Sequence, residues 1–253
     1  MAKPQRNPVK TVGIERRYAV QLRSVAKQVG AIVNGFPPGD PQFVPTIDAM
    51  LRAYADLLLP WARETAAKML RATNAADYKA WLSLGEEVSA GVMREVTTTP
   101  TGSTFLALLA EQVHYIRSIP LEAAQRVHTL TTEALADGTR AAEIAKMIQA
   151  SGSVAESRAT LIARTEVART ASTFTQARAL NVGSQGYVWE TSRDGDVRPS
   201  HKKMQGKIID WDKPPVVDGM TGHAGEFPNC RCWPRVILPR LDGKPAKRGP
   251  FRA

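Results

Sequence analysis

Trp189-Glu190-Thr191-Ser192-Arg193-Asp194-Gly195-Asp196-Val197-Arg198-Pro199-Ser200-His201 runs on through Gly206 and His223 to Pro228-Asn229-Cys230-Arg231-Cys232-Trp233, and this stretch decides how the chain is read. It holds both cysteines of the protein, two of its four histidines and three of its five tryptophans. The aromatic and β-branched run Tyr187-Val188-Trp189-Glu190-Thr191 predicts a strand. Asp194-Gly195-Asp196 then reads as a hairpin turn and Gly206-Lys207-Ile208-Ile209 as a second strand, with a third expected across Cys232–Leu238. Between Asp212 and Pro228 the chain carries Pro214, Pro215, Gly219, Gly222 and Gly225. A segment so rich in turn residues buries too little to hold itself closed, and something has to pin it.

Working back toward the N-terminus, the period changes from two to between three and four. Tyr18, Leu22, Val25 and Val29 predict a helix over about 14–33, broken at Asn34-Gly35-Phe36-Pro37-Pro38. A longer helical stretch follows from Thr46, which Pro60 should kink or split because proline lacks the helical N–H donor. Asn74 reads as an N-cap, with Asp77 three residues on, and Thr97–Gly102 as a loop. Phe105, Leu109, Val113 and Ile116 mark the next helix, and Pro120 sits where the first turn of a further one would accept it. Gly138 then suits a helix C-terminus and Thr139 the next N-cap, while Ser153 with Glu156 has the capping-box spacing for a long helix over 154–182. The expected class is mainly α: an N-terminal helical region followed by a small α+β, loop-rich C-terminal subdomain. The expected parts are a flexible basic arm over 1–13, a helical region over 14–118, a domain over 119–238 whose β/loop part is 186–238, and a basic tail over 239–253.

The formal net charge of +10 is concentrated at the ends. Residues 1–35 carry seven Lys or Arg against one acid, and 235–253 six against one, whereas 36–234 carry 21 basic and 22 acidic residues. Arg6, Lys10, Arg16, Arg17, Arg240, Lys244, Lys247 and Arg248 are therefore the candidate contacts to nucleic acid or to an acidic protein surface. A solubilising role without a fixed partner accounts for them equally well. No segment reaches the roughly 18 uncharged apolar residues of a membrane span, and Lys3-Pro4-Gln5-Arg6 leads into no apolar signal core.

Two cysteines spaced Cys-x-Cys do not build a disulfide framework, because in extended chain their Cα atoms stand about 6.5–7 Å apart. The pairing suits a reducing cytoplasm. His201, His223, Cys230 and Cys232 are the natural pins for the loop, as a tetrahedral Cys₂His₂ zinc set would replace the missing core. The competing reading makes the cysteines small buried hydrophobes and His201 a hydrogen-bonding structural histidine. Asp194, Asp196, His201, Glu226 and Cys230 would also furnish a metal-dependent hydrolase, yet the chain has no Gly-x-Ser-x-Gly, His-Glu-x-x-His or phosphate-cradling loop. Charge complementarity further suggests that Arg164 or Glu166, early in the last long helix, reaches Asp196, Arg198 or Arg231.

Taken together, Arg164-Thr165-Glu166, Trp189-x-Thr-x-x-Asp194, Val197-Arg198-x-x-His201, Gly206 and Asn229-Cys230-Arg231-Cys232 resemble the phage Mu F-like minor head protein family, also called the phage head morphogenesis domain. The resemblance covers about 120–238. Two departures accompany it: Ser172 and Thr173 stand where the family's helix would carry an asparagine, and His223 replaces a plain turn residue. The resemblance implies a structural virion component of a tailed phage, made in the host cytoplasm and placed inside the head or at the portal vertex. Its implied partners are the portal protein, the major capsid or scaffold protein, and double-stranded DNA during packaging or ejection, with no membrane. Two alternatives stand beside it, a metal-dependent or toxin-like enzyme domain and a DNA-binding module acting through basic termini.

Overall fold

The computed structural model describes residues 6–37, 40–83, 90–137 and 141–238. The helices are α1 (Val12–Asn34), α2 (Val44–Leu57), α3 (Leu59–Leu82), α4 (Ala90–Thr98), α5 (Gly102–Asp137), α6 (Ala141–Gln149) and α7 (Ser151–Asn181). After them come β1 (Gly186–Glu190), the short α8 (Pro199–Lys202), β2 (Ile208–Asp210), β3 (Val216–Val217), β4 (Met220–Thr221) and β5 (Trp233–Val236). The expected class, mainly α with a small α+β C-terminal part, is the observed one. Gly138, Thr139, Arg240, Lys244, Lys247 and Arg248 lie outside the described residues.

The chain divides into two compact units, each made of separated segments. One comprises Glu15–Met69 and Leu108–Arg164. Its interior is aliphatic: Leu22, Val25, Val29, Leu51, Ile116 and Val127 are each at most 1% exposed. Gly30 and Gly152 meet where α1 passes α7, and a Cβ at Gly152 would stand 2.9 Å from the Gly30 Cα. Only glycine permits that approach. Polar ties cross the same unit: the Tyr18 hydroxyl donates to Gln112 Oε1 at 3.1 Å, and Arg117 Nε donates to the Ala55 carbonyl at 3.0 Å. Proline acts here in two ways. The stretch from Val44 splits at Leu58, and Pro60 falls in the first turn of α3, where its missing donor is harmless. Pro120, expected to open a new helix, instead lies inside α5, whose burial of Ile116, Ile119, Ala123 and Ala124 outweighs one lost hydrogen bond.

The other unit comprises Met1–Ile14, Leu70–Ala107 and Thr165–Ala253. Residues 6–11, expected within a flexible arm, are anchored: Val9 is buried with Ala80 and Ala171, and its N–H donates to Asn7 Oδ1 at 3.0 Å. One apolar side chain among polar neighbours is enough to dock the segment. Asn74 is not a cap. It lies inside α3, and its Oδ1 accepts from Arg178 Nη2 at 2.7 Å. Asp77, fully buried, pairs with Arg178 Nη1 and accepts from the Thr175 hydroxyl. Burial, opposed by those bonds, pushes its carboxyl up to about 6. The Ser153–Glu156 capping box also fails, because α7 has already begun at Ser151 and Ser153 Oγ donates back to the Ala150 carbonyl.

The main sheet is antiparallel with order β2-β1-β5, so β1 is central and all five of its residues are buried. Gly186 opposes Asp210, and a Cβ there would lie 2.5 Å from the Ile209 carbonyl oxygen, which fixes glycine at the strand start. The third strand forms as expected, with Glu190 opposite Trp233 and Tyr187 opposite Val236. Asp194-Gly195-Asp196 is not a hairpin. The connection from β1 to β2 includes α8, which Pro199 begins. The two-residue hairpin lies instead at Asp218-Gly219, between β3 and β4, where both residues take positive φ (54° and 75°) as a type I′ turn requires.

Candidate functional site

The site is assembled from three pieces of the unit that contains the sheet. The first is α8, one helical turn that carries His201 inward at 2% exposure. The second is the β3–β4 hairpin, whose Asp218 sits at the turn. The third is the turn from Phe227 to Cys232, in which Cys230 N–H donates to the Phe227 carbonyl at 3.1 Å and Asn229 takes a φ of 57°. Asparagine tolerates that left-handed conformation better than most residues, so its place before the cysteines has a local reason.

These pieces bring three of the four expected pins together. His201 Nδ1 lies 3.5 Å from Cys230 Sγ and 3.5 Å from Cys232 Sγ, and the Cys232 N–H donates to Cys230 Sγ at 3.3 Å. The three ligand atoms all fall within 4.8 Å of one another, and all three residues are buried. On the other edge of the imidazole, Nε2 faces Asp218 Oδ2 at 3.4 Å. Asp218 is held as an anion, its carboxyl lowered by the Ser200 hydroxyl and then by Arg198 and His201. Trp189 and Phe227 stand edge-on to the imidazole at 5.8 and 5.2 Å between ring centres. The two thiols behave as a pair: their mutual hydrogen bond pulls Cys230 down and pushes Cys232 up, so the pair gives up one proton readily and holds the other.

His223 stands apart from this group. Tyr187 Oη lies 3.2 Å from its Nδ1, and the other ring nitrogen bonds the Trp211 backbone. Burial, opposed by Glu226, lowers its pKa, which favours the uncharged ring. The Tyr187 hydroxyl also accepts from the Ala224 N–H at 3.1 Å, and burial pushes its own pKa up. The residue pins its loop by hydrogen bonds.

The helix and the cysteine turn are joined by Thr165. Its Oγ1 accepts from the Asn229 N–H at 2.9 Å, while Glu166 pairs along its own helix with Arg169 at 3.4 Å. The charges expected to bridge find other partners: Arg231 faces Asp194 at 3.8 Å, and Arg198 reaches Asp218 at 3.4 Å and the Pro228 carbonyl at 3.0 Å. Asp196 lends its N–H to Asp194 Oδ1. Gly206, at a φ of 78°, donates to the Trp189 carbonyl at 2.8 Å and starts the return to β2. Ser172 serves the loop directly, its hydroxyl donating to the Ala224 carbonyl at 2.7 Å.

Glu190 was not legible as a site residue. It is 4% exposed and accepts from Gln205 Nε2 at 2.6 Å, Arg235 Nε at 3.0 Å and Arg193 Nη2 at 3.3 Å. A carboxylate in a predicted strand facing two later arginines was the available signal, and register was needed to use it.

The fold and site define a class: a helical scaffold bearing a small antiparallel sheet, wrapped by a loop that a buried His-Cys-Cys group closes. Residues 125–234 match the family model described as Phage Mu protein F like protein. It is 35% identical to an uncharacterized protein of Haemophilus influenzae over 136 residues, which is 54% of this chain and 29% of that protein. It is also 33% identical over 123 residues to a protein of Enterococcus faecalis named NAD(+)–arginine ADP-ribosyltransferase EFV, covering 44% of this chain and 25% of that protein. The chain thus spans less than a third of the length of either relative. No solved structure matches it significantly.

Proposed function

We propose that the protein is a structural minor capsid protein of a tailed phage or prophage, acting in head morphogenesis at the portal vertex or inner capsid. The observation that carries this reading is the family match over 125–234, which includes β1 to β4, the start of β5 and the cysteine turn before it. The portal protein and the major capsid or scaffold protein are the proposed partners, and the virion the proposed location. Arg6, Lys10, Arg16 and Arg17 are exposed and supply positive charge toward DNA or an acidic portal surface. No described helix is long and apolar enough to cross a membrane.

The role is non-enzymatic. His201, Cys230 and Cys232 are 2%, 3% and 5% exposed, so the groups that would supply a base and a nucleophile are turned inward, where they brace the loop. The Enterococcus faecalis relative is named for a transferase, and the shared stretch is 25% of that protein. Two measurements test the proposal. Mass spectrometry of purified heads from the encoding phage is expected to find the protein, and its absence from heads sinks the capsid assignment. Incubating the chain with NAD⁺ and an arginine-rich protein is expected to give no ADP-ribose transfer, and transfer would overturn the non-enzymatic reading.

A further inference from the structure

We infer that His201, Cys230 and Cys232 form a binding site for one zinc ion, with Asp218 orienting the histidine. Two donors sharing a tetrahedral zinc, at about 2.1 Å for nitrogen and 2.3 Å for sulfur, stand roughly 3.6 Å apart. Both sulfurs lie 3.5 Å from the same imidazole nitrogen, and the widest pair of the three is within 4.8 Å. The spacing is therefore already close to that of a coordination sphere.

The arrangement around the ring argues in the same direction. Asp218 Oδ2 stands 3.4 Å from His201 Nε2, on the edge of the ring away from the sulfurs, so Nδ1 is the nitrogen that faces both cysteines. Two sulfurs converge on that one nitrogen. A cation at the meeting point satisfies all three groups at once. The Cys232 N–H on Cys230 Sγ is the type of bond that stabilises a ligating thiolate, and Trp189 and Phe227 wall the site against water. The ligand set joins α8 to the cysteine turn, two pieces 29 to 31 residues apart in sequence. Binding there closes a loop that would otherwise cost entropy to order.

The test uses the full chain. Metal analysis after expression in zinc-replete medium is expected to find about one zinc per chain, and Co²⁺ added to the apoprotein should give thiolate-to-metal charge-transfer absorption. Asp218→Asn keeps the left-handed backbone and all three ligands, and is expected to weaken binding about 10- to 100-fold. Cys232→Ser should abolish the charge-transfer bands. A chain that remains folded by circular dichroism yet takes up neither zinc nor cobalt overturns the proposal. So does uptake of copper(I) alone, and an unchanged affinity in Asp218→Asn overturns the orienting role.

Discussion

Thr165 does with one hydroxyl what opposite charges were expected to do. Its bond to the Asn229 N–H is part-buried, so Thr165→Val should lower stability by about 1–2 kcal/mol, while Thr165→Ser should stay near the parent. Urea unfolding of the three proteins reads the difference, and equal midpoints for Val and Ser would show that the bond contributes nothing. Asp77 makes a second prediction, because its carboxyl titrates at about 6 in the fold against 3.8 in the free chain. Above pH 6 both states are ionised and the folded one bears the cost of a buried charge. As pH falls from about 6 to about 4 the folded state takes up the proton first, so this group's contribution to stability rises through that window. The stability of the parent relative to Asp77→Asn should therefore improve between pH 7 and pH 4.5. A difference independent of pH would place the titration elsewhere.

Gly186 carries a comparable constraint into the sheet. Its missing Cβ would strike the Ile209 carbonyl, so Gly186→Ala must push β2 away from β1, and we expect a loss of about 1–3 kcal/mol with faster amide exchange in 208–210. Exchange unchanged in those residues would mean that the strand accommodates the methyl. The same elements mark what local sequence can and cannot reveal. Helix periodicity found α1 because burial repeats along it, and the aromatic and β-branched run at 187–189 found β1, whose five residues are all buried. The Asp-Gly signal occurs twice between Trp189 and Trp233, and the hairpin forms at the copy other than the one expected. Asp194-Gly195 is followed by Val197-Arg198-Pro199, which starts a helical turn, whereas Asp218-Gly219 is flanked by Val216-Val217 and Met220-Thr221, which can pair. Asn74 and Asp77 looked like the start of a helix because their partner, Arg178, is about a hundred residues away. The grouping of His201 with the cysteines was legible from residue type. The exclusion of His223 was not, since it depends on Tyr187 and Trp211 meeting its two ring nitrogens.

The family-matched stretch, 125–234, coincides with neither compact unit. A fragment cut to those limits would keep Arg178 but lose Asn74 and Asp77, leaving a guanidinium that is 5% exposed in the parent without its carboxylate. Removing one partner of a buried pair typically costs about 3–5 kcal/mol. The fragment should therefore unfold non-cooperatively, and a sharp two-state melt of residues 125–234 alone would contradict this. For the basic ends, reversing Arg16 and Arg17 to Glu should lower affinity for double-stranded DNA and flatten its salt dependence, as filter binding at several salt concentrations would read. An unchanged slope would exclude these side chains as phosphate contacts. The division into interleaved units also sets a timetable for synthesis. The unit made of Glu15–Met69 and Leu108–Arg164 has all its residues once Arg164 has left the ribosome. Val9 and Asp77 must wait for Ala171 and Arg178, and the sheet for Val236. A message truncated just after Arg164 would thus yield a polypeptide with one finished body and an N-terminal remnant of the other, a ready substrate for quality-control proteases.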